Sequence, residues 1–422
     1  MAQAAGGAFS GTVAVIGLGY IGLPTAVALA ASGVRVVGVD VNPDVVKSVS
    51  RGEATFVEPD LAVAVSGAVA MGQLTATDQV PEADAFIIAV PTPFNQDRTA
   101  DLSYIKSATD SIAPQLRGGE IVVLESTSPP GTTLQVSRWL AELRPDLTLP
   151  HVTEGTPDIC VAHCPERVLP GRIMIEMVTN DRVIGGITPR CAERAAALYR
   201  KFCEGEILLT DAASAEMAKL VENASRDVDI AFANELSLIC DELNLDVWEV
   251  IRMANRHPRV NILNPGPGVG GHCIAVDPWF IVGATPGLAR LIRTAREVND
   301  SKPRYVADQI IEKCARFRNP TVACLGLSFK ANVDDTRESP AVEVIGMLAE
   351  ALPEVSILVA DPFVDELPAK LSGHSNLTLT GAVDAIEQAD IVALLVDHDQ
   401  FKALSRNLLA GKVIYDTRGV WR

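Results

Sequence analysis

The segment TVAVIGLGYIGLPTAVALAASGVRVVGVD, residues 12–40, constrains the fold more than any other stretch. Residues 12–16 read as a buried strand and Gly17-x-Gly19-x-x-Gly22 as a tight turn. The Ala-rich run to Ala31 reads as a helix, and 34–39 as a second strand that ends at Asp40. A strand that turns on glycine into a helix and returns as a strand commits the chain to a parallel α/β sheet. The first-turn amides of such a helix hold a pyrophosphate, and the glycines let the backbone approach it. A carboxylate at the end of the second strand, here Asp40, meets the ribose 2′-OH, which selects NAD over NADP.

The totals set limits on partners. A length of 422 residues leaves room for two to four domains, and 48% hydrophobic residues suffice for their cores. A net charge of −17 argues against nucleic acid and anionic membrane as partners. An anionic substrate must then be held by local Lys and Arg. No run of 18 apolar residues occurs, so no membrane span is expected. MAQAAGGAFSG lacks the basic and apolar regions of a secretory signal. The eight cysteines follow no framework spacing, and the expectation is a cytoplasmic protein with reduced thiols.

Further α/β units follow. AFIIAV (85–90) ends in PTP, and IVVLEST (121–127) is followed by SPPGTT. Thr92, Thr127 and Thr133 lie beyond these strands, where α/β sheets bind ligands; they serve either as cofactor-facing hydroxyls or as turn and N-cap residues. Cys160, His163 and Cys164 have no second ligand pair at metal spacing, so no metal site is expected. In CPERVLPG, Glu166 is either a base or a solvated loop carboxylate. Asp211 to about Leu245 lacks Pro and Gly and reads as one long helix, a connector or a dimer interface. On it Lys219, Asn223 and Arg226 share a face, either as an oxyanion site or as the wet side of the helix. Arg256, His257 and Arg259 form a basic cluster after it, and ARLIRTAREVND (289–300) is a helix expected to pack across the first.

NPGPGVGGHCIAVDPWF (264–280) then places Cys273 on a loop with Gly266, Gly268, Gly270 and Gly271, four residues before Asp277. A buried Cys is commonly a small hydrophobe, but a thiol on such a loop is presented to a substrate, as a nucleophile requires. From Pro320 the α/β pattern restarts without GxGxxG: strands at 321–330, 355–362, 389–397 and 412–421, and a helix at 339–352. Lys330, Arg337 and Arg418 stand at its strand ends. The fold class is thus α/β: a Rossmann NAD domain (1–210), a central long-helix domain with the Cys loop (211–315), and a Rossmann-like nucleotide-sugar domain (316–422).

Together, GPGVGGHCIAVDPWF, CPERVLPG, AEMAKLVENASRDV and DDTRESP resemble the nucleotide-sugar 6-dehydrogenases from about Thr12 to Arg422, and especially the branch acting on UDP-N-acetyl-D-mannosamine. UDP-glucose enzymes usually carry Ser and Lys where this chain has His272 and Val276. The resemblance implies a UDP-sugar oxidised twice at C6 by two NAD, in a homodimer joined through the central helix, for surface polysaccharide synthesis. It implies Cys273 as nucleophile, Lys219 as acid/base, Asn223 on the oxyanion, Asp277 orienting Lys219 or water, and Glu166 in thioester hydrolysis. Arg167, Val168, Lys219, Asn223, Arg226, His257, Arg259, Gly270, Phe329, Lys330 and Arg418 would line the sugar-nucleotide site. Tyr20, Ile21, Asp40, Thr92, Thr133 and Arg337 would contact NAD beside Gly17, Gly19 and Gly22. The alternatives are UDP-glucose or UDP-N-acetylglucosamine as substrate, a two-electron β-hydroxyacid dehydrogenase, or an NAD-sensing protein without turnover. NADH yield per substrate separates these classes. A preference for NAD over NADP is expected, narrowed in Asp40→Ala; equal use of both cofactors by the parent protein would remove the role of Asp40.

Overall fold

Each half of the molecule is built on a parallel sheet, buried on both faces. The computed structural model describes residues 9–95, 97–153, 155–271 and 273–422, which form two compact units dividing between Glu222 and Asn223. The first unit holds β1 (Thr12–Ile16), β2 (Arg35–Val39), β3 (Leu74–Thr77), β4 (Ala85–Ile88), β5 (Ile121–Leu124), β6 (Cys160–His163), β7 (Arg182–Gly186) and β8 (Ile207–Asp211). Their order is β3-β2-β1-β4-β5-β6-β7-β8, parallel except for β6 against β7. AFII of β4 and IVVL of β5 are buried throughout, as strands covered on both faces must be. Val13 and Val15 of β1 enter one core layer and Ala14 and Ile16 the other, following the two-residue period of a strand.

The second unit holds β9 (Thr321–Leu325), β10 (Ser356–Ala360), β11 (Leu377–Leu379), β12 (Ile391–Leu394) and β13 (Val413–Asp416), all parallel in the order β11-β10-β9-β12-β13. This repeats the order of the first five strands of the first unit, and the repetition extends to single hydrogen bonds. Thr12 donates its amide to Asp84 Oδ2 at 2.8 Å, and Thr321 to Asp390 Oδ2 at 2.9 Å. Gly17 donates to the Val39 carbonyl and Gly326 to the Ala360 carbonyl, each at 2.8 Å. Both glycines take positive φ, 95° and 109°, which a side chain would strain. The terminal Asp of each second strand accepts from the residue after that glycine: Leu18 to Asp40 Oδ2 at 2.8 Å, Leu327 to Asp361 Oδ2 at 2.7 Å.

The two sheets diverge after this turn. In the first, the helix Gly22–Ala31 begins at once; in the second, a loop over 326–339 intervenes before the helix Pro340–Ala351. Asp361 also accepts from His398 Nε2 at 3.1 Å, with neither side chain exposed. His398 Nδ1 accepts the Asn332 amide at 3.0 Å, so its proton sits on Nε2.

Two long helices complete the framework, Ala212–Glu242 and Arg290–Cys314; the second is much longer than the 289–300 segment expected from sequence and runs through Pro303. Within the second unit they meet along a polar seam. Arg296 Nη1 donates to Asp227 Oδ1 at 2.6 Å, and Lys302 Nζ to Ser237 Oγ at 2.7 Å; Tyr305 donates to Asp241. Burial pushes Lys302 down to about 8. Among the described residues, no helix is long and apolar enough to cross a membrane.

Asp361→Ala orphans three backbone amides, those of Leu327, Ser328 and Phe363, and a buried imidazole, and is expected to destabilise the protein by about 3 kcal/mol or more. Urea unfolding measures this. A cost below about 1 kcal/mol would mean the lock is not structural.

Candidate active site

The dinucleotide turn of the first unit is shaped for a phosphate. A Cβ at Gly22 would strike the Gly17 carbonyl, whereas one at Gly19 would meet nothing, so the open side of the turn lies at Gly19. The following helix has no side-chain cap and no acidic residue in its first turn, leaving its amides to an anion. Asp40 Oδ1 accepts the Asn42 amide at 2.8 Å, so Leu18 and Asn42 fix the carboxylate at the end of β2. Tyr20 is exposed and stacks on Phe56 at 4.2 Å between centroids, with Ile21 beside it at the helix start. Thr92 is buried, and its hydroxyl has no hydrogen-bond partner among the described residues, as a ligand contact requires. Thr127 is half-buried after β5. The third threonine is committed elsewhere: Thr133 donates its hydroxyl and amide to Glu216 Oε1 at 2.6 and 2.7 Å, and Gly131 its amide to Oε2 at 2.6 Å. Glu216 thereby caps the helix Thr132–Leu143 from the long helix, which favours the reading of Thr133 as a helix-start residue.

Glu166 is not a solvated loop carboxylate. It is buried, with Oε2 accepting from Arg182 Nη2 at 3.0 Å and Oε1 from the Arg167 amide at 2.6 Å. Both oxygens thus already accept hydrogen bonds within the protein. Arg182 lies 5.1 Å from the ring centroids of both Tyr199 and Phe202, and 4.0 Å from Glu125. Glu125 accepts from Thr25 Oγ1 at 3.0 Å and from Tyr199 at 3.2 Å. Burial, then the charge of Glu166, pushes its carboxyl up to about 8. The cluster therefore sets one guanidinium against two buried carboxyl groups, of which Glu125 is the one pushed toward its neutral form. Arg167 pairs with Glu222 at 2.6 Å, and Val168 packs on the core. Lys219 is half-buried on the long helix. Cys160, His163 and Cys164 are buried in and beside β6, where burial drives His163 down to about 3 and Cys164 up to about 12.

In the second unit, Asn223 Nδ2 donates to Asp277 Oδ2 at 2.5 Å, joining two residues predicted for the site. Asp277 is buried and opens the helix Asp277–Ala284. The amides of Val276 and Asp277 donate to the Cys273 carbonyl at 3.1 and 2.8 Å, which seats Cys273 immediately before the positive end of that helix. Seven of the eight cysteines are buried or half-buried; Cys273 is exposed. His272 lies outside the described residues.

The glycine loop packs on the loop over 326–339: Gly271 donates to the Arg337 carbonyl at 3.2 Å, and a Cβ at Gly270 would strike Glu338, Pro340 and Phe329. Beside them a cavity of about 270 Å³ is lined by Gly268, Phe329, Lys330, Asp397 and Arg418 among others. Arg418 is steered by Asp397, whose Oδ1 accepts its Nε at 2.9 Å. Phe329, Lys330 and Arg418 thus converge, whereas Arg226, His257 and Arg259 are exposed outside that cavity and Arg337 is exposed and paired with Asp335 at 2.6 Å. Sequence reasoning missed Glu125, Arg182, Glu216, Asp227 and Arg296. Each is a charged residue within an apolar or helical pattern, and only the polar run Asn223, Asp227, Asn234, Ser237, Asp241 at helical spacing was a visible signal.

Models of the UDP-glucose/GDP-mannose dehydrogenase family match as the NAD binding domain over residues 11–203, the central domain over 213–301 and the UDP binding domain over 323–422. The chain is 57% identical to an NDP-N-acetyl-D-galactosaminuronic acid dehydrogenase of Ralstonia nicotianae, over 97% of this chain and 96% of the relative. It is 54% identical to the UDP-N-acetyl-D-mannosamine dehydrogenase of Yersinia pestis, over 97% and 99%. The structure of the UDP-D-ManNAc dehydrogenase of Pyrococcus horikoshii matches with a TM-score of 0.87 at 37% identity, over 97% of this chain and 96% of that one.

A carboxyl raised on folding binds a proton that the unfolded chain has lost, so its stabilising contribution is present at low pH and fades as pH rises to about 8. Parent stability should therefore fall between pH 6 and 8.5 by up to about 1.4 kcal/mol per pH unit from this one proton. Glu125→Gln should flatten that slope in urea titrations. An unchanged slope would mean that Glu125 is ionised at neutral pH.

Proposed function

Because this chain belongs to the UDP-glucose/GDP-mannose dehydrogenase family, we propose that it oxidises UDP-N-acetyl-D-mannosamine at C6 to the uronate, in two NAD-dependent steps. The observation that carries the reading is Cys273, exposed on its glycine loop before a helix whose first residue, Asp277, meets Asn223. Turning a C6 hydroxymethyl into a carboxylate removes four electrons. NAD held at the turn of Gly17, Gly19 and Gly22 would supply the hydride acceptor for each of the two rounds. Lys219 takes the C6 hydroxyl proton in the first round. An aldehyde has no hydride to give until a nucleophile adds to its carbonyl. The Cys273 thiolate adds and forms a thiohemiacetal, whose oxidation leaves a thioester. Water then releases the acid and the thiol, oriented by Glu166 through the lone pairs that Arg182 and the Arg167 amide leave over. Asn223, held by Asp277, donates to the oxyanion formed along the way.

Other residues bind rather than react. Gly17, Gly19, Gly22, Tyr20, Ile21, Asp40, Thr92 and Thr127 serve NAD, and Arg337 is assigned to the same cofactor. Lys330 and Arg418 provide the cations that a chain of net charge −17 needs for a diphosphate; Phe329 lines the same cavity, and Gly270 packs against Phe329. Arg167, Val168, Arg226, His257 and Arg259 complete the sugar-nucleotide site. The three-part division at 1–210, 211–315 and 316–422 assigns one task to each part. The exposed apolar residues Val221, Phe232 and Ile239 repeat along one face of the long helix, in support of a homodimer there; a monomer in sedimentation would remove that part. A reactive thiol and seven buried or half-buried ones suit a reducing cytoplasm, and the uronate suits surface polysaccharide synthesis.

The relative of Ralstonia nicotianae favours a second reading, in which the sugar is the N-acetyl-D-galactosamine epimer. NADH release across UDP-N-acetylmannosamine, UDP-N-acetylgalactosamine, UDP-N-acetylglucosamine and UDP-glucose, with products weighed, decides between them; the first should give the largest kcat/KM. Two NADH per sugar are expected. Cys273→Ser should lose the second oxidation more than the first, because an alcohol ionises far less than a thiol near neutral pH. Lys219→Ala should lower kcat by about 10²–10⁴-fold. Sustained four-electron turnover by Cys273→Ser would end the covalent mechanism.

A further inference from the structure

The polar seam between the two long helices contains a directed chain of amides. Asp227, Asn234, Arg296 and Asn299 are each at most 1% exposed. Asp227 lies beside Arg296, and its Oδ1 also accepts from Asn299 Nδ2 at 2.8 Å; the Asp227 carbonyl accepts from the same amide nitrogen at 3.0 Å. A carboxylate paired with a guanidinium can only accept, so Asn299 must turn its NH₂ toward Asp227 and its oxygen away. That oxygen accepts from Asn234 Nδ2 at 2.9 Å. Asn234 is then left with one group to offer, its oxygen, and this accepts the Gly266 amide at 2.9 Å. The charge of Asp227 thus sets the orientation of two buried side-chain amides and ends on the backbone of the loop that carries Cys273.

We propose that Asn234 is a positioning residue for Cys273. Asp227 and Asn299 fix its orientation, and it holds the glycine loop at Gly266, upstream of the thiol. The loop has few other ways to be held there. Pro265 and Pro267 flank Gly266 and have no amide hydrogen to donate. The next backbone anchor among the described residues is Gly271, on the Arg337 carbonyl. The residues between pack on proline: a Cβ at Gly268 would press on Pro303 and Pro340. The amide of Gly266 is therefore the point where the first long helix grips the loop. Asn223 and Asp227 precede Asn234 on the same face of that helix, so the residue that meets Asp277 and the residue that holds the loop share one rigid support.

The proposal rests on Cys273 as the nucleophile, and the test separates the two. Asn234→Ala removes the grip. Asn234→Asp keeps the size and the acceptor for Gly266 but sets an acceptor against Asn299 Oδ1. Each variant is measured as the full-length protein for NAD affinity, for kcat and KM with the nucleotide sugar, and for the rate at which iodoacetamide alkylates Cys273 across pH. Expected are NAD affinity within about twofold of the parent, kcat lower by about 10–100-fold, and a displaced alkylation profile, since misplacing a reacting group by about 1 Å costs on that order. The more stable of the two variants decides the matter if the other fails to fold. A folded variant whose kcat and alkylation profile both match the parent overturns the proposal. Full four-electron turnover by Cys273→Ser would remove the catalytic reading alone, because alkylation reports loop position whether or not the thiol reacts with substrate.

Discussion

A carboxylate captured by backbone amides at the end of the second strand governs both halves of this molecule. Asp40 fixes the turn at Leu18, and Asp361 fixes the turn at Leu327. In each case a charge at the carboxyl end of one strand holds open the exit from its neighbour, where a parallel sheet binds ligands. The same lock then serves two ends. Asp40 remains half-exposed, with lone pairs to spare for a ribose. Asp361 is closed off by His398, and the binding groups pass to the loop over 326–339, which the first unit lacks. One frame thus yields a dinucleotide cradle where a helix comes directly after the turn and a cavity with Phe329 and Lys330 where it does not.

The second organising element is the helix Ala212–Glu242, which turns several of its polar residues toward other elements. Glu216 caps another helix, Asn223 meets Asp277, Asp227 and Asn234 join the amide chain, and Ser237 and Asp241 meet Lys302 and Tyr305. Such a seam is costly to bury unless its members are paired, and the pairs formed here favour one register between the helices. Several apolar side chains of the same helix point outward instead, Phe232 at 55% exposure. At these positions the inversion of an ordinary surface helix, polar side chains inward and apolar ones outward, is local to one stretch of the helix.

That inversion explains what could be read from the sequence. Periodicity and glycine signals located β1, β2, β4 and β5, the repeat after Pro320, the first long helix, the opening turns of the second and the loop of Cys273, because a buried parallel strand is an unbroken apolar run and a glycine turn has a fixed spacing. The stripe of Lys219, Asn223 and Arg226 was legible as a helix face, but whether a polar face is wet or buried depends on what packs against it. Asn223 proved to be the contact of Asp277, while Arg226 is exposed. Glu166 read as a loop carboxylate because its partner, Arg182, lies on the antiparallel strand β7, whose RVIGG is too short and glycine-rich to stand out. Thr133 had two readings, and its choice of Glu216 depends on a residue on another element.

Arg182 limits how the sequence of this core can drift. Its guanidinium lies near two aromatic rings while its edge serves Glu166 and the Met177 carbonyl. Lysine would bring the same charge but neither the plane that lies against the rings nor the fork that serves two acceptors at once. A neutral residue would leave the buried carboxyl of Glu166 without its charged partner. The position therefore admits one residue type as long as 166 is acidic, and the two can be exchanged only together. Positions 125, 166 and 182 form a unit of inheritance, in which a change at one is tolerated only on a background already altered at the others.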